Sequence, residues 1–224
     1  IRDWPKMPVR GAIEGFYGPP WSHEDRLNQL EFYGEHKMNA YIYAPKDDPY
    51  HREKWREPYP DEALMGLQEL VDKAKEEHIN FTFAISPGNT ICFSDDHDFE
   101  ALLDKAEAVW DLGVRSFAIF LHDIDPSLRC AQDIEKFGKD RNPPASAQAY
   151  LLNRFNSEFI QTHEGAERLI TVPTEYSQPG PSPYREEFAD KVDPDIIVQW
   201  TGIGVVAPTI TKEDAEKIHG IFKH

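Results

Sequence analysis

The chain has 224 residues, 40% of them hydrophobic and 12% aromatic, enough to bury a sizeable core, so global disorder is excluded. With 24 Lys+Arg against 40 Asp+Glu the formal net charge is −16, which argues against nucleic acid and anionic membrane as partners, since both call for a cationic face. Two cysteines, Cys92 and Cys130, rule out a disulfide-stapled miniprotein and a Cys-rich zinc module, and no apolar run reaches the length of a membrane span.

The opening, Ile1-Arg2-Asp3-Trp4-Pro5, is no signal peptide and lacks an initiator Met, consistent with a leader cut away. Val9–Gly15 reads as a strand. Ser22–His36 reads as a helix opened by a capping Ser with acidic residues behind it. Ala40–Ala44 is a second strand, and Asp61–Glu77 carries Leu64, Leu67, Leu70, Val71 and Ala74 at helical spacing. A strand at Ile79–Ile85, a helix at Asp98–Leu112 and a strand at Arg115–Leu121 follow. Then come a helix at Ala145–Thr162, a short strand at Leu169–Val172, a short helix at Tyr184–Lys191, a strand at Ile196–Trp200 and a closing helix at Lys212–Phe222.

Strands alternating with helices imply parallel pairing and right-handed crossovers. An open doubly wound sheet and a TIM-type (β/α)8 barrel both fit that alternation. A doubly wound nucleotide binder carries a Gly-rich phosphate turn after its first strand. Here the turn is Gly15-Phe16-Tyr17-Gly18-Pro19-Pro20-Trp21, with bulky aromatics where backbone must approach phosphate. A barrel gathers its functional residues at the C-terminal ends of the strands, and the unusual polar and aromatic residues sit at those ends. The barrel is therefore expected, as a single partial domain over residues 1–224 with six of its units present.

In order, the strand ends read Glu14-Gly15-Phe16-Tyr17-Gly18, Pro45-Lys46-Asp47-Asp48-Pro49-Tyr50, Ser86-Pro87-Gly88, Leu121-His122-Asp123-Ile124-Asp125, Pro173-Thr174-Glu175-Tyr176 and Trp200-Thr201-Gly202. Carboxylates, a lysine and aromatics around one mouth are carbohydrate-site chemistry: rings stack on sugar C–H groups, charges hold hydroxyls, and carboxylates serve as general acid and base. Blander readings exist for each member. A lone Asp after a strand is often a turn residue, Lys46-Asp47-Asp48 could be an exposed ion cluster, and alternating Tyr41 and Tyr43 read as wall packing. His23, His36, His51, His78, His97 and His163 lack metal-ligand spacing and read as surface or helix residues. His122-Asp123-Ile124-Asp125 could hold a metal only with ligands from other strands, because neighbours on a strand point to opposite faces.

Taken together, Arg10-Gly11, Glu14-Gly15-Phe16-Tyr17-Gly18, Pro20-Trp21, the run Tyr41–Tyr50, Phe117-Ala118-Ile119, Asp123-Ile124, Val172–Tyr176 and Trp200-Thr201-Gly202 resemble glycoside hydrolase family 84. These are β-N-acetylglucosaminidases that remove O-linked N-acetylglucosamine (GlcNAc) from Ser and Thr of proteins, and the resemblance spans nearly the whole chain in order. It implies retaining, substrate-assisted catalysis, in which the sugar's 2-acetamido oxygen attacks the anomeric carbon to give an oxazoline. It also implies that Asp123 is general acid/base, that the Gly15 carbonyl and Lys46 hold sugar hydroxyls, that Tyr176 supports the oxazoline, and that Val172 and Thr201 line the pocket. No metal or cofactor is called for; the partner is a GlcNAc-bearing glycan or O-GlcNAc-modified protein.

Two departures stand out. The family pattern at the fourth strand end is Asp-Asp, and here it is His122-Asp123, so an imidazole occupies the position that polarises the acetamido N–H. This points to a weakened or inactive hydrolase, with a non-catalytic GlcNAc- or glycopeptide-binding pseudoenzyme as the alternative. A metal-dependent deacetylase using His122, Asp123 and Asp125 is a distant third reading. The second departure is length: eight units ordinarily need about 250 residues. The sequence stops at Phe222-Lys223-His224, where a seventh strand is expected, so a fragment is expected, or a barrel completed by another chain, a domain swap or a continuation. Compartment stays open, because free cysteines suit the cytoplasm while bacterial relatives are often exported.

Overall fold

A computed structural model describes residues 3–222; Ile1, Arg2, Lys223 and His224 lie outside them. Six parallel strands, β1 (Gly11–Glu14), β2 (Ala40–Tyr43), β3 (Asn80–Ile85), β4 (Ser116–Phe120), β5 (Ile170–Val172) and β6 (Ile197–Val198), lie side by side in sequence order. Between them run α1 (His23–Glu35), α2 (Asp61–Glu76), α3 (Asp96–Asp111), α4 (Ala131–Phe137), α5 (Pro143–Glu158) and α6 (Pro183–Lys191), and α7 (Lys212–Phe222) follows β6. A doubly wound sheet reverses its strand order at a switch point. This one never does, and it is the wall of a half-barrel.

Side-chain alternation divides the wall into two faces. Tyr41, Tyr43, Phe81, Phe83, Ile85, Phe117 and Ile119 pack outward into the main core against the helices. Ile42, Ala44, Ala84, Ala118, Phe120 and Val172 form a smaller cluster on the opposite, inner face. The reading of Tyr41 and Tyr43 as wall packing therefore holds. The central strands β3 and β4 are buried along almost their whole length, as parallel strands covered on both faces must be.

The helix starts follow local chemistry. Ser22 caps α1 through a reciprocal capping box with Asp25, Asn142 caps α5 ahead of Pro143, and Ser182 caps α6. α3 begins at Asp96 behind a capping Asp95, earlier than the apolar spacing predicts, and the expected helix Ala145–Thr162 breaks after Glu158 into a 3-10 turn at Ile160–Thr162. β6 is only two residues long.

The short helix α4 is not anticipated by the sequence reading. Its buried Asp133 accepts from Phe93 N, Ser94 N and Ser94 Oγ at 2.9, 2.8 and 2.7 Å, fastening it to the loop after β3. Beside that anchor Cys92 and Cys130 form a disulfide, which corrects their reading as free thiols. Cys92, Cys130 and Asp133 come close enough to share an ion, but sulfurs bonded to one another offer no thiolate.

Candidate active site

The C-terminal ends of the strands converge on one recess. A cavity of about 600 Å³ opens there, lined by Ile13, Gly15, Phe120, His122, Val172, Tyr176, Gln199, Trp200, Thr201 and Val205. Its floor is the inner-face cluster, since Ile13, Phe120 and Val172 share the parity that points away from the helices.

Asp123 sits at the rim, two residues beyond His122's neighbour Leu121, in a left-handed conformation with φ of 55°. An L residue holds that conformation at a cost of roughly 1–2 kcal/mol, and Asp is one of the few that adopt it readily. The turn sets its carboxylate among three donors. Tyr176 Oη donates to Oδ1 at 3.1 Å, Tyr17 Oη donates to Oδ2 at 3.3 Å, and Lys46 Nζ lies 3.8 Å from Oδ2. The Lys46 ammonium also stands 4.9 Å from the centre of the Tyr17 ring.

His122 lies between these groups and the cavity. Its Nε2 is 3.5 Å from Lys46 Nζ and 3.8 Å from Asp123 Oδ2. Burial, then the Lys46 charge, pushes the imidazole pKa down to about 4, outweighing the pull of Asp123. The ring is therefore neutral at pH 7. Its Nε2 faces the Lys46 ammonium, which only donates, while Nδ1 is buried without a partner. Lys46 is itself lowered, by burial first and by Arg52 next, while burial and then Asp123 push the Tyr176 phenol up.

Five of the seven residues expected at the site, Gly15, His122, Val172, Tyr176 and Thr201, line the cavity, and Lys46 and Asp123 adjoin it through His122 and Tyr176. Thr201 also braces the loop: its N–H donates to Tyr176 O at 3.0 Å and its hydroxyl lies 3.2 Å from Gly204 O. Lys46-Asp47-Asp48 is no exposed ion cluster. Asp48 accepts from Tyr59 Oη, Tyr43 Oη and Tyr50 N at 2.7, 3.0 and 2.8 Å, and of the three only Asp47 faces solvent. Asp125 points away to Arg129 and Ser127, so the His122-Asp123-Asp125 metal grouping is not assembled.

His51 corrects the reading of it as a surface or helix residue. It is buried in the loop after β2, Nδ1 donates to Ala84 O at 2.6 Å, and Nε2 has no partner. Sequence reading also passes over Arg52, treats Tyr17 only as part of a motif, and misses Gln199, whose buried Oε1 at the cavity wall has no partner. A residue's place in a turn, which brings Arg52 back to β4, leaves no periodic trace in sequence.

Comparison with known proteins places the chain in a family. A profile of the β-N-acetylglucosaminidase family matches residues 10–224. The protein O-GlcNAcases of Rattus norvegicus and Mus musculus are each 38% identical over 219 residues, which is 95% of this chain and 23% of theirs. The chain thus spans about a quarter of the length of these curated relatives. The solved structure of CpGH84B is 47% identical, with a TM-score of 0.85 over 97% of this chain and 37% of its own. A mutant of the Thermobaculum terrenum O-GlcNAc hydrolase is 37% identical, with a TM-score of 0.91 over 97% of this chain and 46% of its own. By sequence and by fold, the chain belongs to the β-N-acetylglucosaminidase family, glycoside hydrolase family 84.

Proposed function

We propose that this chain carries the acid-bearing part of the active site of a retaining β-N-acetylglucosaminidase acting on O-GlcNAc-type glycosides, with residues 1–224 forming one partial barrel domain. The convergence of Tyr176, Tyr17 and Lys46 on the Asp123 carboxylate, at the mouth of a cavity lined by Gly15, His122, Val172 and Thr201, supports the reading most strongly. In this scheme the acetamido carbonyl oxygen attacks the anomeric carbon as the glycosidic C–O bond breaks, and Asp123 gives its proton to the departing oxygen. Water then opens the oxazoline while Asp123 takes a proton back. Lys46 and the Gly15 carbonyl hold hydroxyls of the ring, Tyr176 backs the oxazoline, and Val172 and Thr201 bound the acetamido pocket.

His122 weakens this chemistry. The acetamido N–H must compete with Lys46 for the single lone pair on Nε2, and a neutral ring brings no negative charge to the cationic oxazolinium. Losing a preorganised partner of this kind costs roughly 10²- to 10³-fold in rate. The same observation favours the second reading, a GlcNAc- or glycopeptide-binding module with little turnover. The outer edges of β1 and β6 have no strand beside them among the described residues, and Ile13 and Ile197 on them are 44% and 38% exposed. Further strands, from a continuation or a partner chain, would close the barrel there. The function is tested by comparing an aryl β-GlcNAc with the matching aryl β-glucoside. The acetamido substrate alone should be cleaved, with the β-anomer released first; equal cleavage of both refutes the scheme.

A further inference from the structure

One side chain joins the two halves of this site and has no role in the scheme above. Arg52, on the loop after β2, donates through one terminal nitrogen to Tyr17 Oη at 3.1 Å and through the other to the Asp123 carbonyl at 2.9 Å. The Tyr17 hydroxyl it touches is the one that donates onward to Asp123 Oδ2. The guanidinium therefore closes a ring running from the loop after β1 to the left-handed turn after β4.

Its mount is rigid. Pro49 O accepts from Arg52 N and Lys54 N at 3.3 and 2.7 Å, and Asp48 accepts from Tyr50 N and His51 N at 2.8 and 3.3 Å. From beneath, buried Lys105 donates to Tyr50 O at 2.8 Å. On the far side, Ser86 N donates to His51 O at 2.9 Å, stitching the loop to the end of β3. With the backbone fixed at both flanks, little freedom is lost in holding the guanidinium across the gap, and its planar fork can serve two acceptors at once. The bond to the Asp123 carbonyl also falls on a peptide held at positive φ, where a charge-assisted partner offsets the cost of the conformation. The Arg52 charge also lowers the pKa values of Lys46 and His122.

We propose that Arg52 is a positioning residue for the acid: it fixes the Asp123 turn and the Tyr17 hydroxyl at one separation, so that the carboxyl faces the departing oxygen. This rests on the reading of Asp123 as the acid. A misplaced acid harms departure of a poor leaving group far more than of one that leaves without protonation, whereas a structural defect lowers both.

The test takes Arg52→Ala, Arg52→Lys and Asp123→Asn, each in the chain as it stands and in the His122→Asp background. Each is assayed on aryl β-GlcNAc substrates with dinitrophenol and with methylumbelliferone as leaving groups. Arg52→Ala should lose roughly 10- to 100-fold in kcat/KM on the poorer leaving group and under about 3-fold on the better one. Arg52→Lys, which restores charge without the fork, should stay within about 3-fold of Arg52→Ala. Equal losses on both substrates, or none, overturn the inference. If Asp123→Asn itself shows no leaving-group dependence, the acid reading falls instead. The structure of Arg52→Ala reports without turnover: the Asp123 carboxylate should move off the Tyr17 and Tyr176 hydroxyls that now reach it at 3.3 and 3.1 Å, and an unmoved carboxylate overturns the clamp whatever the rates.

Discussion

On the proposed scheme, replacing His122 by Asp supplies the negative charge that the oxazolinium otherwise lacks. An Asp carboxylate reaches less far than the imidazole Nε2, so the 3.5 Å from Nε2 to Lys46 Nζ and the 3.8 Å to Asp123 Oδ2 mark the near limit for the new charge. At an effective dielectric of about 20, each pairing is worth at most roughly 4–5 kcal/mol, one attractive and one repulsive, so the two largely cancel in the resting site. A cationic oxazolinium in the cavity feels the new carboxylate without that cancellation. The expected gain is roughly 10²- to 10³-fold in kcat, the scale of one preorganised charge partner. The assay is steady-state hydrolysis of an aryl β-GlcNAc by His122→Asp and by the unchanged chain, with thermal unfolding as a check on folding. Equal rates, with both chains folded, would refute the reasoning.

Two further predictions concern stability. Burial holds His51 near a pKa of about 4, and His122 is held near about 4 by burial and the Lys46 charge, against an ordinary value of 6.5. Between about pH 6.5 and 4 the unfolded chain binds protons that the folded one refuses, so stability present above that window is lost on acidification, on the order of 3 kcal/mol per histidine. His51→Asn, which keeps a donor for Ala84 O, should flatten the fall in unfolding free energy across this range; parallel curves for the two chains contradict the assignment. The Cys92–Cys130 disulfide closes a loop spanning 38 positions. Reduction, or Cys92→Ser with Cys130→Ser, should lower the unfolding free energy by about 2–4 kcal/mol. An unchanged urea midpoint under reductant would sink that estimate.

Much of the wall was legible because its causes are local. Alternating Tyr41 and Tyr43, the apolar spacing of Asp61–Glu77 and the capping Ser22 each follow from chemistry within a few residues. α4 was not, because seven residues carry too few turns to show a period, and its anchor, Asp133, pairs with a loop 40 positions away. The same limit applies to the site. Lys46, Asp123 and Tyr176 stand out at strand ends, where a barrel concentrates chemistry. Arg52 looks like any charged loop residue until the fold carries it across to Asp123, 71 positions on. His51 and the two cysteines were misread for a related reason: burial of an imidazole and pairing of sulfurs 38 positions apart are properties of the packed chain.

The role of Asp123 carries the account, and removing its proton tests it most directly. Asp123→Asn keeps the size and the hydrogen-bonding reach of the side chain but cannot donate and recover a proton as a carboxyl does. The rate of hydrolysis of an aryl β-GlcNAc with a poor leaving group, measured for Asp123→Asn beside its parent in the His122→Asp background, should fall roughly 10²- to 10⁴-fold. A variant that hydrolyses this substrate as fast as its parent would contradict the assignment of Asp123 as the acid.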